Sequence, residues 1–133
     1  AEALAGSTDP MAGAHLFLHA GPREAVCTTN LLMRGADVLL TKPSELAYYP
    51  IPTLFLPRVG GHEAWGAIRG AELGLGTPEC AGEEDVARAL DLITRGDDLL
   101  RLYCDHILRL ARMGVFDGAR RIIDGLVLPR RRG

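Results

Sequence analysis

Three short apolar segments in the first half of the chain, with helix-like stretches between them, determine the predicted fold. Each has the length and unbroken hydrophobicity of a strand that is buried on both faces. The order strand, helix, strand, short helix, strand predicts a right-handed βαβαβ unit, and therefore a parallel, Rossmann-like sheet. The predicted strands cover residues 15–20, 37–41 and 53–56.

Helical patterns fill the rest of the chain. Pro22 suits the first turn of a helix over REAVCTTNLLM, and Gly35 suits its end. In PSELAYYP only a short helix fits, because Pro50 lacks a backbone donor. Four more helical patterns follow Gly61, so we expect an α/β domain with a helical C-terminal tail. They are HEAWGAIRGAEL, EEDVARALDLITR, DDLLRLYCDHILRLARM and DGARRIIDGLVL.

The last two of these helices are amphipathic, which predicts that one face of each packs on a core. Pro129 ends the second of them. The predicted apolar faces are Leu99, Tyr103, His106, Ile107 and Leu110 in the first, and Ala119, Ile122, Ile123, Leu126 and Val127 in the second.

The length of 133 residues is typical of one domain with one core. A hydrophobic content of 47% with 24% charged residues is ordinary for a globular protein. Residues 1–14 are rich in Ala and Gly without a sustained period, so we expect a linker or N-terminal remnant there and a single domain over residues 15–133.

The charge balance argues against nucleic acid and anionic membranes as partners. Fifteen basic and 17 acidic residues give a net charge of −2, which creates no attractive field for either. No apolar run reaches the roughly 18 residues of a membrane span. Cys27, Cys80 and Cys104 are odd in number and widely spaced, which favours a reducing, cytoplasmic location.

Charged and glycine-rich turns follow each predicted strand. In a parallel open sheet the carboxyl ends of the strands lie along one edge, where such folds bind ligands. We therefore expect the turns GPRE, KPSE and PRVGGHE to form a ligand-binding rim. Its candidate residues are Arg23, Glu24, Lys42, Ser44, Glu45, Arg58, Gly60, Gly61, His62 and Glu63.

The chemistry of this rim suits a phosphorylated ligand that carries hydroxyl groups, such as a nucleotide sugar. Lys42 and Arg58 can offset phosphate charge, and a glycine pair lets backbone N–H groups approach an anion at a helix start. Glu45 or Glu63 can accept hydrogen bonds from sugar hydroxyls. Each residue alone also has a purely structural explanation, as a turn glycine, a surface charge or an acid in a first helical turn.

Other conspicuous residues are interpreted as structural. Trp65 and His106 are expected in the core, and His15 and His19 are expected to pack on one strand face rather than bind metal. The second His of an HExxH zinc helix is missing, as are a GxGxxG fingerprint, a P-loop and a GxSxG elbow. No metal or other cofactor is expected.

The stretch MRGADVLLTKPSELAYYPIPTLFLPRVGGHEAWGAIRGAELGLG resembles the C-terminal, donor-binding half of two-domain glycosyltransferases of the GT-B type. These include the peptidoglycan N-acetylglucosaminyltransferase and the monogalactosyldiacylglycerol synthases. The shared layout is an aspartate-led strand, a basic residue and turn, an acid opening a helix, and a loop with a polar pair before the next helix. The resemblance is best over residues 31–76.

This resemblance implies transfer of a hexosyl group from a nucleotide diphosphate sugar. It makes Lys42 the basic residue after the strand and Glu45 the acid that holds the ribose. His62 and Glu63 take the place of the polar pair that contacts the donor sugar in this family. Gly66 stands where the family has an asparagine. Because such enzymes have two halves, we expect a fragment, or an oligomer in which an N-terminal half or a second copy completes the protein.

Two alternatives remain open at the level of sequence. The chain can be a non-catalytic Rossmann-like module that binds a partner or serves assembly. It can also be a small independent enzyme that uses His62 or Glu63 as acid or base. Whether it is an enzyme at all is left open by the sequence.

Overall fold

The computed structural model describes residues 13–44 and 49–126. The chain divides into two compact units, Ala1–Leu39 and Leu40–Gly133. The linker predicted for residues 1–14 lies almost entirely outside the described residues. The single domain predicted for residues 15–133 stays a prediction.

The described residues form an α-rich fold with five α-helices and two short parallel strands, so the predicted Rossmann-like βαβαβ sheet is wrong. The helical tail, in contrast, is confirmed over its described part. The elements are α1 (Pro22–Leu32), β1 (Leu39–Thr41), β2 (Thr53–Phe55), a 3₁₀ turn (Gly61–Glu63), α2 (Ala64–Glu72), α3 (Glu83–Thr94), α4 (Asp97–Arg112) and α5 (Gly118–Leu126).

The first unit contains helix α1 but not the first predicted strand. Residues 15–20 have no regular secondary structure, and the side chains of Leu16 and Leu18 are each 83% exposed. A strand needs a hydrogen-bonded neighbour, and this segment forms no ladder, so its hydrophobicity is not buried. Helix α1 is confirmed, with Pro22 in its first turn after an extended Gly21.

Strand β2 forms the centre of the second unit. Leu54 and Phe55 are fully buried, and the amide of Leu56 donates to the carbonyl of Thr41 at 2.9 Å, which joins the end of β1 to the residue after β2. The strands predicted for residues 37–41 and 53–56 are therefore confirmed in shortened form.

On its other side β2 makes one parallel bridge instead of pairing with a third strand. Thr53 donates to the carbonyl of Leu75 at 2.9 Å and accepts from the amide of Thr77 at 3.0 Å. A Cβ at Gly76 would collide with the carbonyl of Thr53, so only glycine permits this approach. The bridge fixes the segment after α2 beside the buried strand.

Helix α2 lies close to both β2 and the loop after β1, because glycines face them. A Cβ at Gly70 would lie 2.5 Å from Cζ of Phe55, and one at Gly66 would lie 3.2 Å from the carbonyl oxygen of Pro43. Both glycines are buried. The glycines therefore set the distance between the helix and the two strand ends.

Helices α3 and α4 pack against each other and bury Ile93 and Ile107. The apolar face predicted for α4 is confirmed, since its members are buried or half-buried. On α5, in contrast, Ile122 and Ile123 are exposed, so the packing predicted for that face is wrong there. The side chain of Leu126 and all of Val127 lie outside the described residues.

Candidate functional site

The loops that follow β1 and β2 meet through an ion pair. Lys42 Nζ lies 2.5 Å from Glu63 Oε1. The Lys42 side chain is 49% exposed, whereas that of Glu63 is only 5% exposed. The structure therefore brings these two loops together through a half-exposed lysine side chain and a buried carboxylate.

Glu63 also binds the loop that leads to it. Its Oε2 accepts hydrogen bonds from the amides of Val59, at 2.8 Å, and Gly60, at 3.1 Å. The hydrogen bond from Lys42, with those from the two amides, lowers the pKa of Glu63 from 4.5 to about 2. Glu63 is thus a fully ionised carboxylate that holds the loop closed.

These bonds change the roles that the sequence suggested. The amide of Gly60, expected to face phosphate, already donates to Glu63. Both oxygens of Glu63 accept hydrogen bonds from the chain itself, so its geometry is that of a loop organiser rather than a contact for sugar hydroxyls. The sequence identified the residues but could not show that they bind one another.

Arg58 points to a different partner. Its amide donates to Glu79 Oε1 at 2.8 Å, and its Nε lies 3.1 Å from the same oxygen. Arg58 and Glu79 both line a cavity of about 300 Å³ along α2, where Ala64, Ala67 and Ile68 supply apolar surface. Sequence reasoning missed Glu79, because it lies 21 residues from Arg58 and no local sequence pattern links the two.

The remaining rim residues are arranged around the ion pair. The amide of Ser44 donates to the carbonyl of Lys42 at 2.8 Å, which makes a tight turn. His62 is exposed, and its ring lies over Gly60, while Gly61 is exposed with open space around it. Gly66 is buried against Pro43, so it supports the loop instead of facing a ligand.

Three of the predicted rim residues fall outside the described part of the second unit. Glu45, expected to hold a ribose, lies outside the described residues. Arg23 and Glu24 lie in the first turn of α1, within the first unit. The described part of the candidate site therefore consists of the loops after β1 and β2 alone.

Two large apolar side chains are exposed at these loops, one within the loop 58–63 and one shortly after it. Trp65 is 74% exposed, so its predicted core position is wrong, and Val59 is exposed as well. His106 is half-buried, with its ring against Gly74, which has a φ of +66°. Trp65 is a surface residue because the buried face of α2 consists of small residues that lie against the strands.

A family model described as a domain of unknown function, DUF6938, matches residues 1–127, so the chain belongs to this family. Neither the curated proteins nor the solved structures give a match. Family membership therefore assigns no activity, and the resemblance to glycosyltransferases stays a prediction. Over the part of the chain that the structure describes, no helix is long and apolar enough to cross a membrane.

Proposed function

We propose that the loops 42–44 and 58–63 bind a phosphorylated ligand that carries hydroxyl groups, of the nucleotide diphosphate sugar class. The observation that carries this proposal is the ion pair between Lys42 and Glu63, because it places a half-exposed lysine side chain at the ends of two neighbouring parallel strands. Ligands of many parallel sheets bind at such ends. The proposal rests on these two loops and not on a three-stranded sheet.

The exposed groups supply the ligand contacts. The half-exposed Lys42 side chain is the proposed cation for the diphosphate, and the exposed His62, at the start of the helical segment, is the proposed contact for the donor sugar. Glu63 keeps both groups in place by binding Lys42 and the loop amides. Glu45 is retained as the proposed ribose contact, on the strength of the resemblance.

Transfer of the hexosyl group would also need an acceptor site, which the resemblance assigns to an N-terminal half. The proposal for this chain is therefore donor binding, with catalysis arising only together with such a half or with a second copy. It requires no metal or other cofactor, and it is compatible with a cytoplasmic location.

A second candidate function is that of a non-catalytic module for assembly. It is favoured by the exposed Trp65 and Val59 beside the ion-paired loops, since exposed aromatic side chains are enriched at protein interfaces. Analytical ultracentrifugation of the wild-type chain and its Trp65→Ser variant tests this assembly function. Self-association that is lost in this variant and kept in Leu108→Ser, an exposed apolar residue on α4, would support assembly.

Donor binding is tested by a thermal-shift titration with UDP, GDP, ADP and their sugar conjugates. A ligand that binds only the folded chain stabilises it by about 2.7 kcal/mol at a hundredfold excess over its Kd. We expect one nucleotide series to raise the Tm. Lys42→Met should weaken its binding roughly tenfold, the loss of one charge-assisted hydrogen bond, and Lys42→Arg should restore most of it.

Arg95→Met provides the matched control. Arg95, directly after α3, forms an ion pair with Asp91 of that helix at 2.7 Å, so this variant removes a similar surface cation outside the two loops. This variant should bind like the wild type. A Tm that no nucleotide raises, or a shift that Lys42→Met leaves intact, would contradict the proposal.

A further inference from the structure

The cavity along α2, beside the loop 58–63, has mainly apolar walls, and we call it the α2 cavity. Its volume is about 300 Å³, at the lower end of the range for small-molecule sites in proteins. Pro78 and Glu79, from the segment after the helix, form part of its lining. The helix itself contributes the apolar side chains of Ala64, Ala67, Ile68 and Ala71.

The segment that completes the cavity is bonded to the most buried strand. Phe55 donates its amide to Thr77 Oγ1 at 3.2 Å and accepts from the amide of Cys80 at 2.9 Å. Pro78 and Glu79 lie between these two bonded residues in the chain. This side of the cavity is therefore held in place without a ligand.

The charged residues that line the cavity are already paired. Arg58 Nε lies 3.1 Å from Glu79 Oε1, and Glu72 Oε2 lies 3.5 Å from Nη1 of Arg69. These pairs leave no excess charge among the lining residues, so the cavity favours an uncharged, apolar guest over an anion or a cation. Burying apolar surface there is favourable by roughly 25 cal/mol per Å².

Helix α2 also carries a large apolar side chain that does not fill the cavity of its own chain. Trp65 is 74% exposed, and Ile68 is 49% exposed. By the helical period, Ile68 lies between Trp65 on one flank and the cavity alanines Ala64 and Ala71 on the other. An enclosed aromatic side chain buries about 150–250 Å². Guest and cavity therefore lie on neighbouring faces of one helix.

This arrangement fits a second copy of the chain. A two-fold axis that runs along α2 beside Ile68 brings opposite flanks of the two helices face to face, so each Trp65 meets the cavity of the other copy. The charges agree with this pairing. Arg69 lies one turn after Trp65 and Glu72 lines the cavity, so Arg69 of one copy comes close to Glu72 of the other.

We infer that two copies of this chain form a symmetric dimer in which Trp65 of each copy occupies the α2 cavity of the other. The inference rests on the second candidate function, assembly, and names both the partner and the surface that receives Trp65. A contact around one helix is small by the standard of stable dimers, so we expect association at micromolar to millimolar concentration. In the dilute monomer Trp65 stays in contact with water.

Sedimentation equilibrium and tryptophan fluorescence over this concentration range test the inference on the whole chain. We expect the mass to rise from monomer to dimer and the Trp65 emission to shift to the blue in parallel. Trp65→Ser should weaken association roughly thirtyfold or more, as is typical of a tryptophan buried in an interface pocket. Ala71→Leu should fill the cavity, weaken association similarly and leave the emission unshifted. Ala87→Leu, the same change at an exposed position of α3, should associate like the wild type.

A mixture of Trp65→Ser and Ala71→Leu gives the most specific test. Neither variant can pair well with itself, but Trp65 of the Ala71→Leu chain can enter the intact cavity of the Trp65→Ser chain. We therefore expect the mixture to associate more tightly than either variant alone. Ala64→Leu, in the wall of the same cavity, replaces Ala71→Leu if that variant lowers the Tm strongly.

Several results would overturn the inference. A wild-type chain that stays monomeric at millimolar concentration would contradict both this dimer and self-assembly. Self-association that Trp65→Ser abolishes and Ala71→Leu leaves intact would keep the assembly function and exclude the cavity as its receptor. Equal effects of Ala71→Leu and Ala87→Leu, or a mixture that stays monomeric, would exclude the cavity as well. Donor binding is tested separately by the nucleotide titration, so its failure is distinguishable from that of the dimer.

Discussion

The ammonium of Lys42 and the carboxylate of Glu63 are 2.5 Å apart although 21 positions separate them in the chain. This bond ties the loop after β1 to the loop after β2. Because Glu63 also accepts from the amides of Val59 and Gly60, one buried carboxylate organises both sides of the proposed site. Its ionisation should therefore control the stability of the loops.

The first prediction concerns acid unfolding. The pKa of Glu63 falls from 4.5 to about 2 on folding, so the stability it contributes is fully present above about pH 4.5 and is lost as the pH falls toward 2. Glu63→Gln should lower the Tm at neutral pH and flatten its dependence on pH between 4.5 and 2.

Thermal unfolding at a series of pH values measures this effect. Glu72→Gln is the control, since Glu72 is an exposed acid paired with Arg69 at 3.5 Å on the surface of α2. It should keep the wild-type dependence on pH. A Glu63→Gln profile parallel to that of the wild type would show that this carboxylate does not organise the loops.

The second prediction concerns the contact between α2 and β2. Gly70→Ala places a Cβ 2.5 Å from the ring of Phe55 in a fully buried site, so it should destabilise the fold by about 1–3 kcal/mol. Gly125→Ala, in α5 with open space around it, should be neutral or stabilising by up to about 1 kcal/mol. Denaturant unfolding compares the two, and equal effects would contradict the close packing.

The third prediction concerns thiol reactivity. Cys27 and Cys104 are exposed, whereas Cys80 is buried and burial raises the pKa of its thiol. A thiol reagent should modify two cysteines quickly in the native chain and Cys80 only slowly. Mass spectrometry of the modified chain identifies the sites. Rapid modification of Cys80 would contradict its burial beside Phe55, whose carbonyl accepts a hydrogen bond from the Cys80 amide.

The fourth prediction concerns Trp65, the only tryptophan. With 74% of its side chain exposed, its fluorescence in the folded chain should resemble that of tryptophan in water and change little on unfolding. Iodide should quench it readily. A blue-shifted, protected emission in the isolated chain would show that this surface is covered, as the assembly function requires.

Local patterns in the sequence predicted the helices well. Pro22 marked the start of α1, and the 3.6-residue period of α4 identified the face that buries Ile107, because caps and periodicity act within one element. The segment 15–20 was misassigned for the opposite reason. Whether an apolar run becomes a strand depends on a partner elsewhere in the chain, and among the described residues Leu16 and Leu18 pair with no strand and stay exposed.

The sequence predicted which two loops meet, but not which of their residues bind one another. The turns after two strands gave Lys42 and Glu63, and the structure brings them together. A sequence cannot show whether neighbouring charged residues bind a ligand or one another, and here Glu63 binds Lys42. It also gave no sign that Arg58 pairs with Glu79, or that small residues on the inner face of α2 leave Trp65 outside.

The most direct test of donor binding is a map of amide chemical shifts in the isotope-labelled chain during titration with the UDP, GDP and ADP sugars. We predict that one of them shifts the amides of Lys42, Gly61 and His62, and that Lys42→Met weakens this response while Arg95→Met does not. Shifts confined to helices α3 and α4, or none at millimolar ligand, would contradict donor binding at the two loops.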